Sequence, residues 1–178
     1  MKSNMYNFSF LMDYYPESVK APSAEQAKDR NTVQAFMTGD VSSELLARIE
    51  SKARELVNDM HIDMVCFAPG TTGAKTILRF GDMAERLSAS LPCPVFLDGV
   101  TLKFDSDPIT YTRYYQCNKD RVNGRNVLLI GGVYTTGQDL QEVGDLLELN
   151  GAKSVMVSSS LKLLNKNNTQ KWTQLLTI

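Results

Sequence analysis

Paired cysteines, clustered histidines and an excess of either charge are all missing from this chain of 178 residues, and each absence removes a class of function. The three cysteines, Cys66, Cys93 and Cys117, are an odd number and show no CxxC or similar close spacing. Each lies in or beside an apolar or extended stretch, so buried thiols in a reducing compartment are expected rather than a disulfide framework. His61 is the single histidine. Without a second imidazole or a cysteine cluster, a zinc site of the usual kind is not expected. Lys and Arg number 19 against 20 Asp and Glu, a formal charge of −1. Neither a nucleic-acid backbone nor an anionic membrane is therefore an expected partner. The N-terminal run MKSNMYNFSFLMDYYPES carries one lysine and a short apolar patch broken by Asp13. It reads as neither a signal peptide nor a bilayer span, and the expected location is the cytoplasm. Internal repeats and low-complexity blocks are absent as well.

Several catalytic signatures are missing too. GTTGAKT (70–76) has Ala74 directly before Lys75 and Pro69 six before it, where a nucleotide-binding P-loop needs glycines. There is no GxSxG elbow and no HExxH. His61 stands ahead of an apolar run, at the wrong end of a strand for an α/β active site.

What is present is the composition of one soluble globular domain over 1–178, with 43% hydrophobic and 22% charged residues. After Glu148 no acidic side chain follows, whereas Lys153, Lys162, Lys166 and Lys171 do, and this mildly basic end is read as solvated surface. Residues 1–40 are mixed. Over 41–57, Leu45, Leu46, Ile49, Ala53, Leu56 and Val57 recur at helical spacing behind Ser42 or Ser43 as cap. The unalternating run 64–68 predicts a strand covered on both faces, followed by a loop and a helix over 74–89. A short strand at 95–97, a turn-rich stretch at 98–107 and an extended aromatic stretch at 111–117 come next. The run 127–130 predicts the second core strand, 131–137 a loop, and Gln138 or Asp139 to Leu149 a helix stopped by Asn150-Gly151. A last strand is predicted at 154–158. The alternation means parallel βαβ units: an open, mainly parallel α/β sheet with helices on both faces.

Ligands of such sheets bind where the carboxyl ends of strands lead into helix N-termini. Two small-residue loops stand there. One holds Gly70, Thr71, Thr72 and Gly73 ahead of Lys75 and Arg79; the other runs through Gly131, Gly132, Val133, Tyr134, Thr135, Thr136, Gly137, Gln138 and Asp139. Each is either an anion cradle of backbone N–H groups or simply a tight turn. Lys75 and Arg79, four apart on one helix face, either reach a diphosphate or form a solvated basic face with Glu85 and Arg86.

VLLIGGVYTTGQDLQEVGDLLELNGAKSVMV (127–157) resembles the signature of the type I phosphoribosyltransferases. In that family a four-residue apolar strand runs into two acidic residues, two variable ones and a Thr-Thr-Gly loop that opens a helix. Val133 and Tyr134 match the variable pair; Thr135, Thr136 and Gly137 match the phosphate loop. MVCFAPGTTGAKTILRFGDMAERL (64–87) looks like the family's first strand and pyrophosphate loop. The Tyr14-Tyr15-Pro16 run, RNTVQAF (30–36) and the spacing from Lys75 to Phe80 are similar to a group of short bacterial members. The resemblance implies a small hood over the acceptor at about 98–117 and a homodimer; about 161–178 is read as a C-terminal tail. If the chain is active, it also implies Mg2+ acting with phosphoribosyl pyrophosphate.

The chain departs from the pattern at its centre. Gly131 and Gly132 occupy the two acidic positions, and each lost charge-assisted hydrogen bond to a ribose hydroxyl weakens binding by roughly 1.5–3 kcal/mol. Asp139 stands where the loop's last Thr or Ser is expected, and as a helix cap it would fill the anion site itself. The expectation is therefore a phosphoribosyltransferase-like protein impaired in catalysis or without it, which binds a nucleotide-like or phosphate ligand or a protein partner. The alternative is an active transferase that moves ribose 5-phosphate to a base or amine. Tyr111, Tyr114 and Tyr115 either stack on a base or pack onto the core.

Overall fold

The computed structural model describes residues 6, 8–14, 22–104, 113–134 and 137–163; at 8, 10–14, 134 and 160–163 only the backbone is described. Apolar runs without alternation build the centre of the sheet. Strand β2 (Met64–Phe67) is buried at every position. So is the first half of β6 (Asn126–Tyr134), where Val127, Leu128, Leu129 and Ile130 are closed to solvent. These two strands pair in parallel, with Met64 opposite Val127 and Phe67 opposite Ile130. On the far side of β2 lies β3 (Val95–Phe96). Beyond β6 come β7 (Ser154–Leu163) and then β1 (Phe8–Tyr14) at the edge. The order is β1-β7-β6-β2-β3, every pairing is parallel, and the expected open α/β sheet is what forms.

Because successive side chains of a strand point to opposite faces, the apolar runs feed two cores. Val65, Phe67, Leu128 and Ile130 pack with α1 (Ala24–Thr38), α2 (Ser43–Asp59) and α3 (Gly73–Ser90). Met64, Cys66, Val127 and Leu129 pack on the other face with α5 (Gln138–Leu149) and with Val122 of the short α4 (Lys119–Val122). That second face also takes an antiparallel ribbon of β4 (Val100–Phe104) and β5 (Arg113–Cys117). Val100, Tyr115 and Cys117 turn inward from the ribbon.

Helix boundaries follow local chemistry. Ser42 caps α2 by accepting the Leu45 N–H at 3.2 Å. Ser23 and Gln26 form a reciprocal capping box on α1. The mixed reading of 1–40 thus gives way to a strand and a helix.

Three further boundaries differ from expectation. The stretch expected to be turn-rich contains β4, stabilised by its pairing with β5. Strand β7 runs past 158 to Leu163, so 161–163 belong to the sheet, while 164–178 lie outside the described residues. Strand β6 does not stop at Ile130 but continues through both glycines to Tyr134. Its partner β7 stays alongside, with Gly131 opposite Ser159 and Val133 opposite Leu161. A strand ends where its ladder ends, and here the ladder outlasts the glycines.

Candidate functional site at the switch point

From β2 the chain passes through α3 to β3 on one side, and from β6 it passes through α5 to β7 on the other. The direction of winding reverses between β2 and β6. In open α/β sheets such a point, beyond the carboxyl ends of the strands, is where ligands bind. The Ala68 N–H donates to Ile130 O at 2.9 Å, and with that bond the β2–β6 ladder closes. The first loop leaves at this point, and the Gly131-Gly132 pair of the second stretch follows directly on the neighbouring strand.

The first loop is folded back on its own helix. Gly70 is buried, and its N–H donates to the Thr76 hydroxyl at 2.9 Å; that hydroxyl donates in turn to Thr72 O at 3.0 Å. A Cβ on Gly70 would lie 3.3 Å from the backbone of Lys75 and Thr76, a tight contact that the turn must yield slightly to accept. Thr72 is the cap of α3 and accepts the Lys75 N–H at 3.1 Å. Thr71, Gly73 and Lys75 are exposed, and Gly73 opens onto free space. Arg79 donates from Nε to Met37 O at 3.4 Å, which ties α3 to the end of α1.

In the second loop, Thr135 and Thr136 lie outside the described residues. Gly137 caps α5 with φ 79°, a left-handed conformation that favours glycine, and it has no side chain to offer the helix. Gln138 and Asp139 are exposed in the first turn. Asp139 is not the cap that its sequence position suggests. It stands two residues past Gly137, 69% exposed, with its carboxylate 3.6 Å from Arg113 of the ribbon. Geometry explains this: a cap needs extended backbone, and Asp139 is already helical.

Beside the two glycines of β6 stand side chains that no sequence motif signals. A Cβ on Gly131 would sit 2.6 and 2.9 Å from the two methyl carbons of Leu140. A Cβ on Gly132 would meet the Phe36 ring at 3.1 Å and the Phe80 ring at 3.7 Å. The volumes beside both positions are already filled with hydrocarbon. Phe36, Leu140 and Thr76 all bear on the site and none was among the expected site residues. Their sequence contexts are those of ordinary helix positions, and only the packing assigns them.

No family model matches the sequence, and no curated protein does. Among solved structures, the chain is similar to a purine phosphoribosyltransferase from Pyrococcus horikoshii Ot3, 15% identical with a TM-score of 0.49 over 70% of this chain and 89% of that one. It is also similar to a phosphoribosylpyrophosphate synthetase from Mycobacterium smegmatis, 19% identical with a TM-score of 0.43. That match covers 66% of this chain and 33% of the synthetase, so the chain spans about a third of its length.

A protein-held Mg2+ does not fit this site. Such an ion takes oxygen ligands, often one or two carboxylates. Positions 131 and 132 supply none, and the Asp139 carboxylate faces Arg113. Of the ribbon tyrosines, Tyr115 packs into the core, and its phenol is held above its ordinary pKa by burial and then by the Asp139 charge. Tyr114 is exposed, and Tyr111 lies outside the described residues. Among the described residues, no helix is long and apolar enough to cross a membrane.

Proposed function

We propose that this chain is a phosphoribosyltransferase-like module without catalytic function, which holds a phosphate or nucleotide-like ligand, or a protein partner, as a regulatory or accessory element. The observation behind this reading is that, where the β2–β6 ladder ends, the two positions that follow Ile130 are glycines and supply no carboxylate. The first N–H groups of a helix have no partner within it, and a helix opening that follows a strand suits a phosphate. Lys75 stands exposed at such an opening. A ribose needs acceptors for its vicinal hydroxyls, and Gly131 and Gly132 have no side chain with which to accept.

The test is to incubate the protein with phosphoribosyl pyrophosphate and magnesium while following melting temperature and pyrophosphate release. A ligand at about 100 times its Kd stabilises by roughly 2.7 kcal/mol, which reads as a shift of several degrees. The module predicts no pyrophosphate release with any base or amine acceptor, whether or not the melting point moves. Turnover at an ordinary enzymatic rate would refute it and establish the active transferase.

A further inference from the structure

Helix α3 turns one face to solvent, and large apolar side chains stand on it. Ile77 is 64% exposed and Leu78 55%, while Met37, at the end of α1, is 39% exposed. Leu78 lies across the Gly39 cap of α1, where a Cβ would collide with its side chain, and Arg79 donates to Met37 O beside it. The three apolar residues thus group where α1 ends against α3. Single exposed apolar residues are ordinary, whereas a group of them marks a surface for association.

A glycine on the same face points the same way. At 3.6 residues per turn, Ala74, Leu78, Gly81 and Glu85 share one stripe of α3. Gly81 has no positive φ, and a Cβ there would meet only Ile77, at an ordinary 3.7 Å. Alanine would fit and would favour the helix. No contact within the single chain calls for glycine at 81, whereas close approach of a second backbone does.

Charge selects that second backbone. Arg79 and Arg86 are turned to Met37 O and to Glu50. Lys75, Asp82 and Glu85 are exposed and form no ion pair among the described residues. Lys75 lies in the first turn of α3, and the two carboxylates follow about two and three turns later on the same side. A parallel copy of α3 would set like charges together. An antiparallel copy sets the Lys75 of each chain against the carboxylates of the other, once on each side of a twofold axis.

We propose that α3 is the self-association surface of this protein: two copies pack their α3 helices antiparallel about a twofold axis near Gly81, which buries Ile77 and Leu78 and pairs Lys75 with the partner's Glu85. The proposal is independent of the phosphate reading, and its readout is molecular mass in phosphate-free buffer. Sedimentation of the full chain at micromolar concentration should give twice its 19.9 kDa. Ile77→Glu, at an exposed position, should raise the dimer dissociation constant about tenfold or more. Lys75→Glu and Glu85→Lys should each weaken the dimer, and the chain carrying both should recover it, because the exchanged charges still meet. Gly81→Ala should weaken the dimer while it raises the stability of the monomer. A dimer that withstands Ile77→Glu, or a double exchange no tighter than either single change, overturns the proposal. So does an unaltered protein that stays monomeric. A loss of stability in Ile77→Glu would then assign the face to another segment of this chain, and no loss would assign it to a different protein.

Discussion

The Tyr6 hydroxyl donates to the Asp145 carboxylate at 2.7 Å, joining the N-terminal segment to a helix 139 residues later. The contact exists because residue 144 is glycine. A Cβ there would lie 2.7 Å from the Tyr6 ring. Helix propensity alone makes Gly144→Ala stabilising by about 1 kcal/mol. The clash reverses the sign, and we expect urea unfolding to show a loss of about 1–3 kcal/mol. Tyr6→Phe should cost about 0.5–1.5 kcal/mol, since Asp145 is exposed and water takes over the lost bond. A stabilised Gly144→Ala protein would mean that Tyr6 does not sit on α5.

Stability should fall in alkali, beginning with the thiols. Burial raises the pKa of Cys66, Cys93 and Cys117, and burial followed by the hydrogen bond to Asp145 raises that of Tyr6. Each group stays protonated in the folded chain at a pH where the unfolded chain has begun to ionise. The unfolded state then binds fewer protons, and stability declines as pH rises. The decline should begin near the ordinary thiol value of about 8.5 and steepen beyond about 10, when tyrosine joins. Urea midpoints between pH 7 and 11 would show it, and Cys66→Ala should flatten the first part of the slope.

Asp139 and Thr72 should behave in opposite ways on truncation. Thr72 accepts the Lys75 N–H, and loss of such a cap typically costs about 1 kcal/mol. Asp139 makes an exposed ion pair with Arg113, and pairs of that kind contribute about 0.2–1 kcal/mol. Denaturant melts of Thr72→Ala and Asp139→Ala should therefore differ. In addition, 1 M salt should erase the effect of Asp139→Ala but not that of Thr72→Ala. A salt-independent loss of about 1 kcal/mol at Asp139 would mean that it caps α5 after all.

Thr76→Val should loosen the first loop although it removes only one buried hydroxyl. The substitution keeps the side-chain shape and removes the acceptor of the buried Gly70 N–H. Leaving such a donor unsatisfied costs about 1–3 kcal/mol. Hydrogen exchange at Gly70 should accelerate along with the loss of stability, whereas Thr71→Val, at an exposed site, should change neither.

How far the sequence could be read depended on how local the cause was. The strand at 64–67 and the start of β6 were legible because four consecutive apolar residues in a βαβ context have few other uses. Helices α2, α3 and α5 were legible to within a residue or two from period and caps. Helix α1 carried a readable signal in Ser23-x-x-Gln26, but it buries only Val33 and Phe36 among its described side chains, so its apolar period is faint. The continuation of β6 through Gly131-Gly132 was not legible, since glycine pairs look like loop and only β7 alongside holds them extended.

The parallel α/β fold and the Gly131-Gly132 pair in place of two acidic residues could be read from the chain alone, because residue type and spacing are local facts. Only the packed fold put β2 beside β6 at the switch point, turned Asp139 to Arg113, and set Leu140 and Phe36 in the volumes beside the two glycines. Those contacts join residues up to about a hundred positions apart, and van der Waals exclusion between them leaves no trace in either stretch read alone.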